Sequence, residues 1–292
     1  MSYPDYIAPS SLDEALELLG DPARKACVLA GGTNLIPRLR TREIESNLFV
    51  DICRLPLNKI SLYKNYLHLG AGVTCSQVMH NELAVRHLPA LVIACREIEG
   101  PSIRNRSTLG GNLAASFPEA NTVPAFLIYN ALVCMAKGKT ERTVPISSFF
   151  QDSGKSILEP GELIKEILIP FPPPRTAATF LKFGFRRGMS TAVVNVAVSI
   201  CIDQDSQIRA ARIALGAFAR NPFRALTAEN MLVGTKPGEL ATESLARLVV
   251  ESYPARDDLF VGTEYRKKLA MILIGRGLKD VYTVLAGIDC HD

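Results

Sequence analysis

Two glycine-rich loops carry the residue types most suited to chemistry. The first glycine loop, residues 28–35, reads Val-Leu-Ala-Gly-Gly-Thr-Asn-Leu, and the second glycine loop, residues 107–113, reads Ser-Thr-Leu-Gly-Gly-Asn-Leu. Paired glycines let a backbone approach a ligand closely, and successive N–H groups before a helix bind phosphate. One glycine pair alone would more often be a tight turn, but two similar loops favour a ligand that contains a diphosphate. Hydroxyl and amide bonds could come from Thr33, Asn34, Thr108 and Asn112.

A third glycine stretch imitates a dinucleotide-binding fingerprint. It reads Gly70-Ala-Gly72-Val-Thr-Cys75, but its sixth position is a cysteine and the strand before it belongs to a hairpin. The pattern therefore predicts a strand that leads into a helix N-cap.

The sequence contains no nucleophile elbow, P-loop or HExxH motif, and its four histidines form no metal or triad pattern: His68, His80, His87 and His291. We assign no catalytic side chain and no metal ligand.

The composition and the cysteine pattern argue against nucleic-acid binding, disulfides and an iron–sulfur site. The 292 residues are 48% hydrophobic and 21% charged, with a net charge of +4 and no long basic run, so nucleic-acid binding is not indicated. The seven cysteines are odd in number and contain no CxxC pair, which favours free thiols over disulfides or an iron–sulfur site: Cys27, Cys53, Cys75, Cys95, Cys134, Cys201 and Cys290. With no leader pattern and no apolar run long enough for a membrane span, we expect a cytoplasmic protein.

Periodicity places the glycine loops among alternating strands and helices. Predicted helices cover residues 12–19, 34–42, 89–99, 239–253 and 263–277, and a further helix follows Pro118. Predicted strands cover residues 26–30, 59–63, 66–71, 132–136, 164–169, 192–202 and 208–217. Residues 100–116 contain too much Gly, Asn, Arg and Ser for a regular element, so we expect an irregular loop there. The prolines of residues 171–174 indicate a domain boundary.

Three segments, residues 30–35, 103–113 and 180–182, strongly resemble the FAD-binding (medium) subunit of molybdenum hydroxylases, the carbon monoxide dehydrogenase medium chain and the xanthine dehydrogenase FAD subunit. The resemblance extends over nearly the whole chain. It implies an α+β fold with a two-part FAD-binding domain of the PCMH (vanillyl-alcohol oxidase-like) type, followed by a small α+β C-terminal domain. The implied FAD-binding domain covers residues 1–175, with subdomains of about 1–56 and 57–175, and the C-terminal domain covers residues 176–292.

The resemblance also implies a set of FAD-binding positions. It assigns two runs to the FAD diphosphate and its neighbourhood: Leu29, Ala30, Gly31, Gly32, Thr33, Asn34, Leu35 and Ile36, and Thr108, Leu109, Gly110, Gly111 and Asn112. Ile98 and Ile164 occupy positions that border the flavin or adenine, and Lys182 that of a lysine near the isoalloxazine ring. A cation there would stabilise the negative charge that accompanies reduction.

The chain departs from the family pattern at three places, two single residues and one dipeptide. Asn121 stands where an Asp is usual, so a ribityl hydroxyl would meet an amide rather than a carboxylate. Ser190 also replaces an Asp, and Thr33-Asn34 replaces a commoner dipeptide. These changes bear on the affinity for FAD and on the reduction potential of the flavin more than on whether FAD binds.

The resemblance implies an electron-transfer flavoprotein subunit. FAD would receive electrons from the clusters of a small iron–sulfur subunit, which take them from a large molybdopterin subunit, and would pass them to an external acceptor. Two alternatives stay open. One is a self-sufficient flavin-dependent reductase or oxidase, and the other is a non-catalytic scaffold subunit that has lost FAD.

Overall fold

The computed structural model describes residues 4–152, 154–186 and 190–289. Cys290 and His291, considered above, lie outside these described residues. The strands form sheets of three, five and four strands and one two-stranded ribbon. In the part of the chain described, no helix is both long and apolar enough to cross a membrane.

The first sheet is small and parallel, with strand order β1-β3-β2. Its elements are β1 (Asp5–Ile7), α1 (Leu12–Gly20), β2 (Ala26–Leu29), α2 (Leu35–Arg40) and β3 (Leu48–Asp51). The Ser11 hydroxyl caps α1 by accepting a hydrogen bond from the Glu14 N–H at 3.2 Å. Ala15 and Leu16 then bury one face of α1 against the sheet. The first glycine loop begins with the last two residues of β2 and extends to the start of α2.

The second sheet is antiparallel, with strand order β4-β5-β10-β6-β7. Its strands are β4 (Ile60–Tyr63), β5 (Tyr66–Gly70), β6 (Leu132–Lys137), β7 (Thr140–Pro145) and β10 (Leu163–Pro170), and the ribbon is β8 (Phe150–Asp152) with β9 (Lys155–Ser156). Lys64 and Asn65 join β4 to β5 with positive φ, as a two-residue hairpin requires. Helices between β5 and β6 cover the sheet: α3 (Cys75–His80), α4 (Glu82–His87), α5 (Pro89–Arg96), α6 (Pro101–Arg104), α7 (Leu109–Ala114) and α8 (Thr122–Ile128).

The prediction of an irregular loop at residues 100–116 was wrong, because this stretch contains the short helices α6 and α7. Glycine lowers helix propensity, so composition alone argued against them. Tertiary contacts outweigh that cost: the Thr108 side chain caps α7, and the N–H groups at its start bond to the segment after β5. The third glycine stretch behaves as expected, since β5 ends at Gly70 and Thr74 forms a capping box with Gln77.

The third sheet is antiparallel, with strand order β11-β12-β13-β14. Its elements are β11 (Thr176–Gly184), β12 (Ala192–Ile202), β13 (Ile208–Gly216), β14 (Phe223–Arg224), α9 (Leu226–Leu232), α10 (Thr242–Ser252) and α11 (Thr263–Asp289). All of β12 is buried, because α11 packs on one side of the sheet and α8 on the other. Helix α11 continues past its expected end at Gly277, where a Cβ would lie 2.9 Å from the Val198 side chain. This glycine allows close packing rather than ending the helix.

Arg266 on α11 joins several loops at the edge of the third sheet and is 1% exposed. Its guanidinium donates to the carbonyl oxygens of Val193, Ala217 (2.8 Å) and Arg256 (3.1 Å), and to the Asp258 carboxylate at 2.5 Å. A buried guanidinium is stable only when its donors are satisfied in this way.

We predict that Arg266→Ala lowers the free energy of unfolding by about 3–5 kcal/mol, because it leaves several buried carbonyl oxygens without a donor and removes one of the two arginines paired with Asp258. Urea denaturation followed by circular dichroism measures the change. Lys268→Ala, an exposed position on the same helix, is the control and should shift the midpoint little. A small effect of Arg266→Ala would show that the network contributes little to stability.

Candidate functional site

A cavity of about 400 Å³ lies between the first and second sheets, and it is called the larger cavity because it is the larger of the two cavities that Gly31 lines. The loop after β2, the turn after α5, helix α7 and the start of β10 contribute its walls. These segments are far apart in sequence, and the parallel β2 and the antiparallel β10 bring them together. A space of this size, enclosed by several elements, is typical of a small-molecule or cofactor site.

The main chain of the first glycine loop lines this cavity. A Cβ on Gly31 would lie 1.9 Å from the Arg106 carbonyl oxygen, and Gly32 has a φ of +72°. Both positions therefore require glycine. Within the described residues, the N–H groups of residues 31–35 donate to no backbone acceptor. They remain available to an anion at the start of α2.

The second glycine loop has a different role. The N–H of Leu109 donates to the Val73 carbonyl at 2.9 Å, and that of Gly110 donates to the Ala71 carbonyl at 2.8 Å. A Cβ on Gly110 would lie 2.6 Å from the Ala71 Cβ. These amides hold α7 against the segment after β5 and are not free for an anion. The loop thus forms the cavity wall, while the first loop carries the free N–H groups.

Three charged side chains line the larger cavity, namely Arg38, Glu99 and Glu162. Arg38 lines it, with its guanidinium carbon 5.9 Å from the centre of the Phe117 ring. Glu162 also lines it, but Arg142 neutralises this carboxylate through bonds of 2.6 and 2.8 Å. The bidentate bond to Arg142 lowers the pKa of Glu162, so the carboxylate stays charged and paired.

The structure brings most of the FAD-binding positions implied by the resemblance to the larger cavity. Those that line it are Ala30, Gly31, Gly32, Thr33, Asn34, Leu35, Ile98, Thr108, Gly110, Gly111, Asn112 and Ile164. The Asn112 Oδ1 accepts a 2.5 Å hydrogen bond from the Thr122 hydroxyl, which fixes the orientation of the amide.

The other implied positions are not part of the lining: Leu29, Ile36, Leu109, Asn121 and Lys182. Leu109, the first residue of α7, is fully buried, and the Asn121 Oδ1 accepts a hydrogen bond from Asn195 at 3.3 Å. Lys182 on β11 donates from Nζ to the Glu97 carbonyl at 2.8 Å, one residue before Ile98. Burial lowers the pKa of Lys182.

A second cavity of about 390 Å³ shares Ala30, Gly31, Ile52 and Thr108 with the larger one. Cys53 lines the second cavity and donates from Sγ to the Ala30 carbonyl at 3.2 Å. Burial, with a contribution from Asp51, raises the pKa of Cys53 to about 11, so this group is a thiol at neutral pH. It supports the first glycine loop by its hydrogen bond.

Several lining residues escaped the sequence analysis, namely Arg38, Ile44, Ile52, Phe117, Leu158 and Glu162. Ile52 follows β3, whose apolar Leu-Phe-Val run could have indicated a strand next to the glycine loop. Glu162 and Arg142 come together only because β10 and β7 both flank β6. No local pattern could have revealed that pairing.

Two family models match consecutive segments of the chain. Residues 2–172 match the model described as FAD binding domain in molybdopterin dehydrogenase. Residues 179–281 match the model described as CO dehydrogenase flavoprotein C-terminal domain.

Similar proteins and solved structures cover nearly the whole chain. The caffeine dehydrogenase subunit beta of Pseudomonas sp. (strain CBB1) is 30% identical over 94% of this chain and 93% of that protein. The xanthine dehydrogenase FAD-binding subunit of Escherichia coli O157:H7 is 27% identical over 98% of both chains. A structure of carbon monoxide dehydrogenase from Hydrogenophaga pseudoflava superposes with a TM-score of 0.91 at 27% identity, covering 97% of this chain and 98% of that one.

We predict that Gly31→Ala destabilises the protein by about 1–3 kcal/mol, because the new methyl group must displace the Arg106 carbonyl. Urea denaturation measures the change. Gly20→Ala is the matched control, since no heavy atom lies within 4 Å of a Cβ built there. Equal stability of the two variants would contradict the close approach of the loops.

Proposed function

Because this chain belongs to the family of FAD-binding subunits of molybdenum hydroxylases, we propose that it holds the FAD diphosphate at the first glycine loop and passes electrons from a partner's iron–sulfur clusters to an external acceptor. The chain is a flavoprotein oxidoreductase subunit of the kind found in carbon monoxide and xanthine dehydrogenase complexes. FAD supplies the redox chemistry, and the protein supplies binding, orientation and electrostatics.

The observation that carries the placement of FAD is the row of N–H groups at residues 31–35 in a cavity of about 400 Å³. A diphosphate needs several donors that are not already engaged, and this loop has them. Arg38 places a guanidinium in the lining, paired with Glu43 at 3.4 Å, and Glu162 is paired with Arg142. The residues present therefore fit an extended dinucleotide with a central diphosphate.

We place the isoalloxazine ring near the turn that carries Ile98. Lys182 reaches this turn from the third sheet through its bond to the Glu97 carbonyl. Burial of its ammonium group strengthens its electrostatic effect on a nearby ring. Asn121 lies deeper, bonded to Asn195, and in our proposal it contributes an amide near the ribityl chain. Ile164, at the start of β10, provides an apolar contact on another wall.

The remaining assignments are also proposals. We assign residues 1–175 to the FAD-binding domain and 176–292 to the C-terminal domain. The partners are a small iron–sulfur subunit and a large molybdopterin subunit, consistent with relatives that are named as subunits of multi-subunit complexes. A cytoplasmic location is supported by the free thiols among the described cysteines. The relatives favour this function over a self-sufficient reductase or a scaffold without FAD.

We predict that the purified, desalted chain retains or takes up stoichiometric FAD, seen in the visible spectrum and identified after acid release. Thr33 and Asn34 would leave this stoichiometry intact despite their departure from the common dipeptide, because backbone N–H groups bind the diphosphate. A colourless protein that does not take up FAD would contradict the proposed function.

We predict that Lys182→Met lowers the flavin midpoint potential by about 30 mV or more, equivalent to about 1.4 kcal/mol for a two-electron couple. Loss of the ammonium group removes a positive charge that favours the reduced cofactor. Potentiometric titration measures the shift, and Lys64→Met at the exposed hairpin turn is the control. Equal potentials in both variants would contradict the position proposed for the ring.

We predict that a tagged copy of this chain, expressed in its native host, co-purifies with an iron–sulfur protein and a molybdopterin protein. Mass spectrometry identifies the chains, and iron and molybdenum analysis measures the metals. Recovery of the tagged FAD-containing chain alone would favour the self-sufficient reductase.

A further inference from the structure

The turn at residues 97–99, directly after α5, forms one wall of the larger cavity. Ile98 and Glu99 both line the cavity. Glu99 has a φ of +25°, a backbone conformation that a residue with a side chain rarely adopts. Such a conformation persists only where surrounding contacts hold it.

Arg104 on α6 makes those contacts. Its Nη1 donates to the carbonyl oxygens of Arg96 at 3.1 Å, Ile98 at 3.0 Å and Glu99 at 2.8 Å. Nη1 carries two N–H groups, so the three oxygens share them. The guanidinium also lies at the C-terminal end of α5, where the helix dipole favours a cation. One side chain thus fixes three of the four carbonyl groups from residue 96 to residue 99.

Lys182 holds the fourth carbonyl, that of Glu97, at 2.8 Å. Two cations therefore hold the turn. One is the Arg104 guanidinium, on a helix that covers the second sheet, and the other is the Lys182 ammonium group, on the third sheet. If the turn moved, the acceptor that sets the position of Lys182 Nζ would move with it. Ile98, which is 9% exposed, would move as well.

We propose that Arg104 is a positioning residue of the flavin site, which fixes the turn at residues 97–99 and thereby places Ile98 and the ammonium group of Lys182 relative to the ring. The inference rests on the proposed positions of Ile98 and Lys182 beside the flavin. Among the described residues Arg104 is not part of the cavity lining, so it acts through the backbone carbonyls and not by touching FAD.

The test compares Arg104→Gln and Arg104→Lys with Arg96→Gln in the full chain. Arg96→Gln removes the same charge from an exposed side chain nearby but keeps its own carbonyl in the turn. The first measurement is hydrogen exchange of the Glu97 and Ile98 amides in the apoprotein, where both are hydrogen-bonded to α5 carbonyl groups. The second is the visible circular dichroism and midpoint potential of the FAD-loaded protein.

Arg104→Gln should speed exchange of these two amides by about tenfold or more, since a charge-assisted hydrogen bond is lost. It should also change the flavin circular dichroism and lower the potential in the direction of Lys182→Met. Arg104→Lys should restore part of both effects because a cation remains, and Arg96→Gln should match the wild type. Far-ultraviolet circular dichroism and the urea midpoint establish that each variant is folded.

Unchanged exchange in folded Arg104→Gln would overturn the proposal, because the turn would not need the guanidinium. Faster exchange with wild-type flavin circular dichroism and potential would also overturn it, because the turn would then not position the ring. Failure of the proposed function is distinguishable, since it would appear in the wild-type chain as absence of FAD or in Lys182→Met as an unchanged potential.

Discussion

The approach of the Gly31 Cα to the Arg106 carbonyl is the constraint on which the site depends. It sets the distance between the first sheet and the helices of the second, because no side chain fits between the two backbones. The larger cavity and the second cavity lie next to this contact and share Gly31. Both depend on a contact between main chains, so the glycine matters for its shape rather than for any reactive group.

Given this contact, the two glycine loops have different tasks. The first keeps its N–H groups free, while the amides at the start of α7 are engaged with Ala71 and Val73. The second loop thereby fixes one wall of the larger cavity. The same arrangement recurs at the turn after α5, whose carbonyl groups are held by Arg104 and Lys182. In each case hydrogen bonds within the protein fix the position of one wall of the larger cavity.

Much of the fold was predictable from local patterns, and much of the site was not. The Ser11 cap of α1, the Lys64-Asn65 turn and the long apolar strands of the third sheet follow from spacing and residue type. The motifs of the two glycine loops identified the family, which the comparisons confirm.

Helix α7 escaped prediction because its stability comes from contacts with the segment after β5, not from its own glycine-rich sequence. The pairing of Glu162 with Arg142 depends on strand order, which no local pattern encodes.

The third sheet also contributes to the core of the FAD-binding part. Phe180, Ala197 and Ala214 belong to the same hydrophobic core as the helices α5 and α8, although they come from the segment that matches a separate family model. The two matched segments are therefore not thermodynamically independent. Removing the C-terminal segment would expose apolar surface on the part that matches the FAD-binding model, so the helices beside the larger cavity depend on apolar contacts from the C-terminal segment.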